Sequence, residues 1–395
     1  MSRNIVTGID IGTYHTKVII ADGTERNKRG FPRVIGAAMT ETKGIRHGYV
    51  VNMSEVTDSI RIALDEAEKR AGIKVKNAFL GLGGIGLGSI VSSSSVIISK
   101  ADMEITTIDV SRVLEQCEKD VPASALVNKK IIHSIPQGYK IDGSPVLGTN
   151  PDGMKGSKLE VSMLFITCLE QHLNDLLESV ENAGVRVDDV MAAPIAASLV
   201  TLTKSQKIAG VILANIGAET VSIGVFENNI PVSLEVFPIG STDITNDIAL
   251  GLKVPLEEAE EIKVGALNGN SYPRKKLEEI ISARLEDIFE LIDAHLKKIG
   301  RNGLLPAGIV ITGGGSGLNN VETIARTALH LPSRIGLSNL ALDDRQSFRD
   351  ATWAVAYGLC IFGLNADEGF GIAPTKNPFG DSWKAILRWF KQFLP

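Results

Sequence analysis

Three short stretches combine glycine with hydroxyl or carboxylate side chains at spacings suited to phosphate. The first is Asp10-Ile11-Gly12-Thr13, followed by Lys17. The second is Asn215-Ile216-Gly217-Ala218, followed by Thr220. The third is the glycine run Gly313-Gly314-Gly315. A glycine turn with a hydroxyl residue at its tip presents backbone N–H groups in a concave nest, and such nests take anions, phosphate above all. Asp10, ending an apolar run, is placed to hold the waters of a phosphate-bound Mg²⁺, because hard cations take carboxylate and water oxygens. It is the one candidate metal residue. Lys17 is placed to offer a charge-assisted bond to a phosphoryl oxygen. One such turn alone reads equally as a plain β-hairpin. Two in register, with a third strand running into glycines, point to a divided phosphate site.

A different chemistry closes the chain. Ser382 suits the N-cap of a helix that begins at Trp383. At about 100° per residue, Trp383, Ile386, Leu387, Phe390, Phe393 and Leu394 share one face, with Trp389 at its edge. Lys384, Arg388, Lys391 and Gln392 fall opposite. Aromatics on one side and cations on the other fit a helix lying in the headgroup plane of a membrane. The alternative is a terminal helix packed back on the body. Residues 364–381, rich in Gly, Pro and Asn, read as a tether that separates this helix from the core.

The elements that must position these groups alternate between strand and helix, which predicts α/β layering. Strands are expected at 4–10 and 17–21 across the first glycine turn, and a second pair over 209–226 across the other. A duplicated strand–turn–strand suggests two similar lobes facing each other. The spacing of Val56, Ile60, Leu64 and Ala67 predicts a helix over 55–71. Between 78 and 161 the pattern changes to extended segments at 89–99, 131–139 and 158–167 around a helix at 108–120, as for an inserted subdomain. Helices are expected at 169–183, 242–250, 256–264, 273–299 and 348–363, and a strand at 307–312. Gly81-Leu82-Gly83-Gly84-Ile85-Gly86 matches a dinucleotide fingerprint, but an extended serine-rich stretch follows it where that fingerprint must open a helix.

Composition narrows the classes further. The 395 residues are 44 % hydrophobic and 22 % charged, with 41 Lys and Arg against 46 Asp and Glu and a net charge of −5. That is a globular chain with sizeable cores and no broad nucleic-acid face. Cys117, Cys168 and Cys360 make no ligand spacing and read as buried free thiols. His47, His133 and His295 show no metal spacing and read as surface or satisfied residues. With no apolar leader and no run of about 18 apolar residues, the expected place is the cytoplasm.

The same motifs resemble the actin/Hsp70/sugar-kinase superfamily. Asp10–Thr13 resembles its first phosphate loop, Asn215–Thr220 its second, and Ile311–Ser316 its adenosine motif. Residues 193–197 and 351–358 resemble the two helices that connect the lobes. Within the superfamily the chain resembles the FtsA family of actin-like bacterial cell-division proteins over essentially its whole length. Residues 112–118, 135–139 and 151–160 resemble the extra subdomain of that family, and Ile239-Gly240, 245–249 and 259–263 also match. The resemblance implies a two-lobed, actin-like (ribonuclease H-like) ATPase fold with an inserted α+β subdomain and a C-terminal amphipathic helix. It implies a first-lobe core at 1–80 and 164–195, the insertion at 81–163, and a second-lobe core at 196–230 and 309–365. Its small subdomain would be 231–308, the linker 366–381 and the membrane helix 382–395. It implies bound ATP and Mg²⁺, with Gly240 and the nucleoside contacts Glu260 and Lys263 added to the site. Read from spacing alone, Glu260 and Lys263 are an ordinary solvated ion pair. It further implies head-to-tail self-association, contact with the C-terminal tail of FtsZ and with other division proteins, and a peripheral place on the cytoplasmic face of the membrane at the division site.

Four positions depart from the superfamily pattern. Asn215 and Ser222 stand where the second loop usually carries Asp, and Ala193 where many relatives carry a water-positioning Glu. Glu219 puts a bulky anion close to the expected phosphate. Losing those carboxylates removes positioning and electrostatic terms that phosphoryl transfer needs, so weak or absent hydrolysis is expected. The rival readings are an actin-like pilus-assembly scaffold and a kinase of the same superfamily, neither of which calls for the basic-aromatic tail.

Overall fold

The structure is a computed structural model, and it describes residues 4–26, 30–148, 150–265, 272–336, 339–343 and 346–367. The expected membrane helix and most of the tether lie outside the described residues.

The chain opens with β1 (Ile5–Ile11) and β2 (His15–Arg26), an antiparallel pair whose register sets Asp10 opposite Lys17. β3 (Pro32–Glu41) continues the sheet antiparallel to β2, and a two-residue turn then joins β4 (Ile45–Arg46) to β5 (Tyr49–Val50). The Asn52 side chain caps α1 (Met53–Ala71), which buries Val56, Ile60, Leu64 and Ala67 as its periodicity predicts. β6 (Asn77–Leu82) lies parallel to β1. No helix follows the glycines of 81–86, so the dinucleotide fingerprint is absent.

The insertion is a unit with its own sheet and core. It runs through β7 (Gly88–Ile97), α2 (Thr107–Lys119), β8 (Lys129–Ile141), β9 (Ser144–Pro145) and β10 (Lys158–Leu169), in sheet order β7-β10-β8-β9. Val113, Leu114, Cys117, Leu159, Val161 and Phe165 fill the space under α2. The chain then returns through α3 (Glu170–Asn182) and β11 (Arg186–Ala192), completing a first sheet of order β11-β6-β1-β2-β3.

The second half repeats that plan. After α4 (Ala193–Thr201) and α5 (Lys204–Ala209) come β12 (Val211–Ile216), β13 (Val221–Glu227) and β14 (Ile230–Phe237). α6 (Ser241–Leu252), α7 (Leu256–Lys263) and α8 (Arg274–Lys298) lead to β15 (Ile309–Thr312), α9 (Val321–Leu329) and β16 (Ser333–Ile335). The sheet order β16-β15-β12-β13-β14 is that of the first sheet, strand for strand: an antiparallel hairpin with the next strand parallel to its first. The duplication read from two glycine turns is therefore a duplication of the whole sheet. A hairpin of β17 (Asn339–Asp343) and β18 (Gln346–Arg349) precedes α10 (Ala354–Asp367), and α10 crosses α4 between the lobes.

Several expectations change. The helix expected at 348–363 starts at Ala354, because Phe348 belongs to β18 and the Asp350 side chain accepts the Thr352 N–H at 2.8 Å, capping a short turn at Ala351–Trp353. It also runs to Asp367 with Leu364 buried, so the start of the expected tether is helical. The boundary expected at 230/231 falls at the start of β14, which hydrogen-bonds to β13 as part of the second sheet. Cys117, Cys168 and Cys360 are buried and free, and burial pushes the Cys168 thiol up to about 12. Among the described residues no helix is long and apolar enough to cross a membrane.

His133 and His295 are not surface residues; both are buried. His295 Nε2 meets the Ser233 hydroxyl at 2.8 Å, while His133 Nε2 accepts the Ala192 N–H at 3.1 Å and its Nδ1 has no partner. Burial pulls the His133 pKa from 6.5 down to about 4. The folded chain refuses a proton that the unfolded chain takes, so stability is complete above pH 6.5 and drains away as the pH falls toward 4. The loss is about 3 kcal/mol, at 1.36 kcal/mol per pKa unit. His133→Gln keeps an acceptor for Ala192 and is expected to flatten this fall in urea unfolding; a fall as steep as the unaltered protein's would rule it out.

Candidate functional site

The two glycine turns are structural copies. In the first, Gly12 N–H donates to the His15 carbonyl at 3.0 Å; in the second, Gly217 N–H donates to the Thr220 carbonyl at 2.8 Å. The third stretch leaves β15 at Gly313 and tightens into a short turn at Gly314–Gly317. All three face one cavity of about 520 Å³, bordered by Asp10, Gly12, Thr13 and Lys17 from the first lobe. The second lobe contributes Asn215, Gly217, Ala218, Thr220, Glu260, Lys263 and Gly313–Gly315. Two other cavities, of about 480 and 760 Å³, border α8 and carry no glycine turn.

Of the expected residues only Gly240 does not line this cavity. It sits behind the second turn, where a Cβ would lie 2.2 Å from the Ala218 carbonyl oxygen. Its neighbours hold the loop: Ser241 and Thr242, opening α6, donate their N–H groups to the Gly217 and Ala218 carbonyls at 2.9 and 2.8 Å. Both also line the cavity, as do Tyr14, His15, Met39 and Gly83-Gly84. Sequence reasoning missed these seven. The glycine pair was visible only inside the rejected fingerprint, and Ser241 only as the residue after Gly240.

The charges are arranged asymmetrically. Asp10 and Lys17 stand 3.8 Å apart, with side chains 14 % and 13 % exposed. Burial raises the Asp10 pKa, and Lys17 offsets part of that. The equivalent ladder pair in the second lobe is Asn215 opposite Ser222, both uncharged. Ala193, at the start of α4, lines the cavity with a methyl group. Lys263 is 7 % exposed and holds Glu260 at 2.7 Å, the Thr245 hydroxyl at 2.8 Å and the Ser241 carbonyl at 3.1 Å. Packing of α7 against α6 buries the Lys263 side chain while Glu260 stays 36 % exposed, so the pair is solvated on one side only. Among the described residues no three His, Cys, Asp or Glu side chains cluster as a metal cage. A single buried carboxylate fits a Mg²⁺ bound mainly through water and phosphate oxygens.

Glu219 corrects another expectation. It does not point at the phosphate nest. Its carboxylate crosses to the first lobe, where Oε1 accepts from Arg46 Nη1 at 2.8 Å and Oε2 from the His47 N–H at 2.5 Å.

Two sheets of one topology, closing on a cavity walled by paired glycine turns, define a two-lobed actin-like protein. The model of the cell division protein FtsA family matches residues 212–358, and that of the SHS2 domain inserted in FtsA matches 84–167. The cell division protein FtsA of Pseudomonas aeruginosa is 30 % identical, covering 100 % of this chain and 98 % of its own length. That of Bacillus subtilis is 30 % identical, over 91 % and 84 %. The chain belongs to the FtsA family of actin-like cell-division proteins. The fold is shared more widely. A PilM–PilN type IV pilus biogenesis complex aligns with a TM-score of 0.66 at 19 % identity, over 91 % of this chain and 98 % of that one. MreB5 of Spiroplasma citri bound to AMPPNP gives 0.53 at 12 %, over 93 % and 99 %.

Proposed function

We propose that the cleft binds ATP with Mg²⁺, and that the nucleotide-bound chain self-associates head to tail and anchors FtsZ filaments to the cytoplasmic face of the membrane at the division site. The observation that carries the nucleotide reading is the pair of matched turns on one cavity, with Asp10 and Lys17 at its base. The turns and Gly313–Gly315 hold the phosphates, Asp10 orients the waters of the metal ion, and Glu260 and Lys263 meet the nucleoside. Hydrolysis is slow, below ~1 per second, because Ala193, Asn215 and Ser222 bring no carboxylate to position water. Membership of the family supports the FtsZ contact, through the FtsZ C-terminal tail and residues 231–308, and the recruitment of other division proteins.

Membrane docking falls to residues 382–395. A twelve-residue helix is about 18 Å long at 1.5 Å per residue, and one such apolar face binds a bilayer weakly and reversibly. Gathering many in a polymer multiplies avidity without new contacts. With anionic vesicles, FtsZ and ATP, the full chain is expected to bring most FtsZ into the vesicle pellet, and a chain ending at Gly380 to leave it in the supernatant. Equal recovery with both chains overturns the tether, and turnover at or above ~1 per second overturns slow hydrolysis.

A further inference from the structure

Glu219 belongs to the second glycine turn, yet all its side-chain bonds are made on the other lobe, with residues 172 and 173 positions away. Its carboxylate is 9 % exposed, whereas the Arg46 side chain is 71 % exposed. The Arg46 pair alone is screened by solvent and holds little. The bond from the His47 N–H is different, since a backbone donor meets a buried carboxylate and the bond is charge-assisted. A further approach of the His47 ring Nδ1 to the Glu219 carbonyl, at 3.4 Å, lies beside it.

The hairpin that supplies these donors is rigidly mounted. His47 and Gly48, with φ of 50° and 86°, form the two-residue turn between β4 and β5, a pairing of left-handed residues that suits a tight hairpin. A Cβ on Gly48 would lie 2.3 Å from the Gly84 Cα, so the turn is seated directly on the glycines after β6. Gly48, Gly83 and Gly84 also form one wall of the cavity. The hairpin is thus a wall of the first lobe, fastened to the second through Glu219.

We infer that Glu219 is a latch: it holds the lobes together over the cleft and sets how fast a bound nucleotide leaves. It is a positioning residue, acting through the hairpin rather than on the nucleotide. The inference rests on the nucleotide reading above. Lobe opening has to break the His47 and Arg46 bonds together, and both re-form when the lobes close.

The test is the release of a fluorescent ATP analogue, with Mg²⁺, chased by excess unlabelled ATP. Glu219→Ala is expected to speed release about tenfold, the scale of one lost bond to a charged group. Glu219→Gln keeps an acceptor for His47 and should fall between. Arg46→Ala, at an exposed position that does not threaten folding, should speed release about two- to threefold. Combined with Glu219→Ala it should add nothing further. Association rates should stay within about twofold, which a general loosening of the fold would not preserve. Release at the unaltered rate in Glu219→Ala overturns the latch and leaves nucleotide binding standing. Failure of the unaltered protein to bind the analogue overturns the nucleotide reading and the gating with it. Amide exchange at His47 in nucleotide-free protein then still judges the contact: exchange unchanged by Glu219→Ala refutes it.

Discussion

Gly358→Ala is expected to lower the unfolding free energy by about 3 kcal/mol, the upper range for overpacking a tight contact. α10 crosses α4 at this residue, and a Cβ on Gly358 would lie 1.9 Å from the Ala196 carbonyl oxygen and 2.5 Å from its carbon. These are backbone atoms in the middle of a helix, so no side chain can turn aside. Both helices are nearly all buried, and their small residues, including Ala193, Ala196, Ala197, Ala354 and Ala356, belong to the core that joins the lobes. The methyl group has room only if the helices separate. Urea unfolding measures the loss, with Gly138→Ala as control, since a Cβ there meets nothing within 4 Å. A Gly358→Ala protein as stable as the original would show that this crossing does not fix the lobes.

Asp10→Asn should move stability and nucleotide affinity in opposite directions. Burial raises the Asp10 pKa in the folded chain, so the folded state favours the neutral acid. The favourable contribution exists at pH below the ordinary carboxylate value and is lost as the pH rises through the raised one. At neutral pH the buried charge is a net cost that Lys17, 3.8 Å away, offsets only in part. A neutral amide of the same shape relieves it. The nucleotide-free Asn protein is expected to melt about 1–3 °C higher. It should also lose about 10–100-fold in Mg²⁺-dependent nucleotide affinity, the scale for disturbing groups that orient a metal's ligands. ATP titrations with Mg²⁺ and with EDTA read the second effect. A lower melting temperature would mean that attraction to Lys17 outweighs burial.

The parts of this molecule legible in the sequence are those with strong local signals. Glycine turns between β-branched runs located β1–β2 and β12–β13, and regular apolar spacing located α1 and α8. Extended runs also located β7, β8, β10 and β15, whereas β3, β11 and β14 lacked such signals. β3 opens with Pro32 and carries Gly36, Ala37 and Ala38, poor strand formers that the pairing with β2 overrides. β11 contains Asp188 and Asp189 and is held by parallel pairing to β6. β14 carries Pro231, whose missing N–H reads as a break. The phosphate-type loops could be placed by residue type, but the direction of Glu219 could not. Its partner Arg46 is 173 residues away, and nothing local encodes the meeting of two lobes. The same holds for Lys263, whose burial depends on α6 rather than on its own helix.

The seam between the insertion and the second lobe has one more consequence. β7 is the outermost strand of the inserted sheet and β14 the outermost of the second-lobe sheet. They abut: Ser89 Oγ donates to the Leu234 carbonyl at 2.9 Å and accepts the Leu234 N–H at 2.8 Å, while Gln137 Nε2 donates to the Val232 carbonyl at 3.2 Å. An outermost strand with open N–H and C=O groups invites another chain to add a strand, a hazard for any protein crowded against copies of itself. Here each sheet blunts the other. Leu234 has both backbone groups occupied by one serine, so at this seam neither outermost strand is open to an added strand.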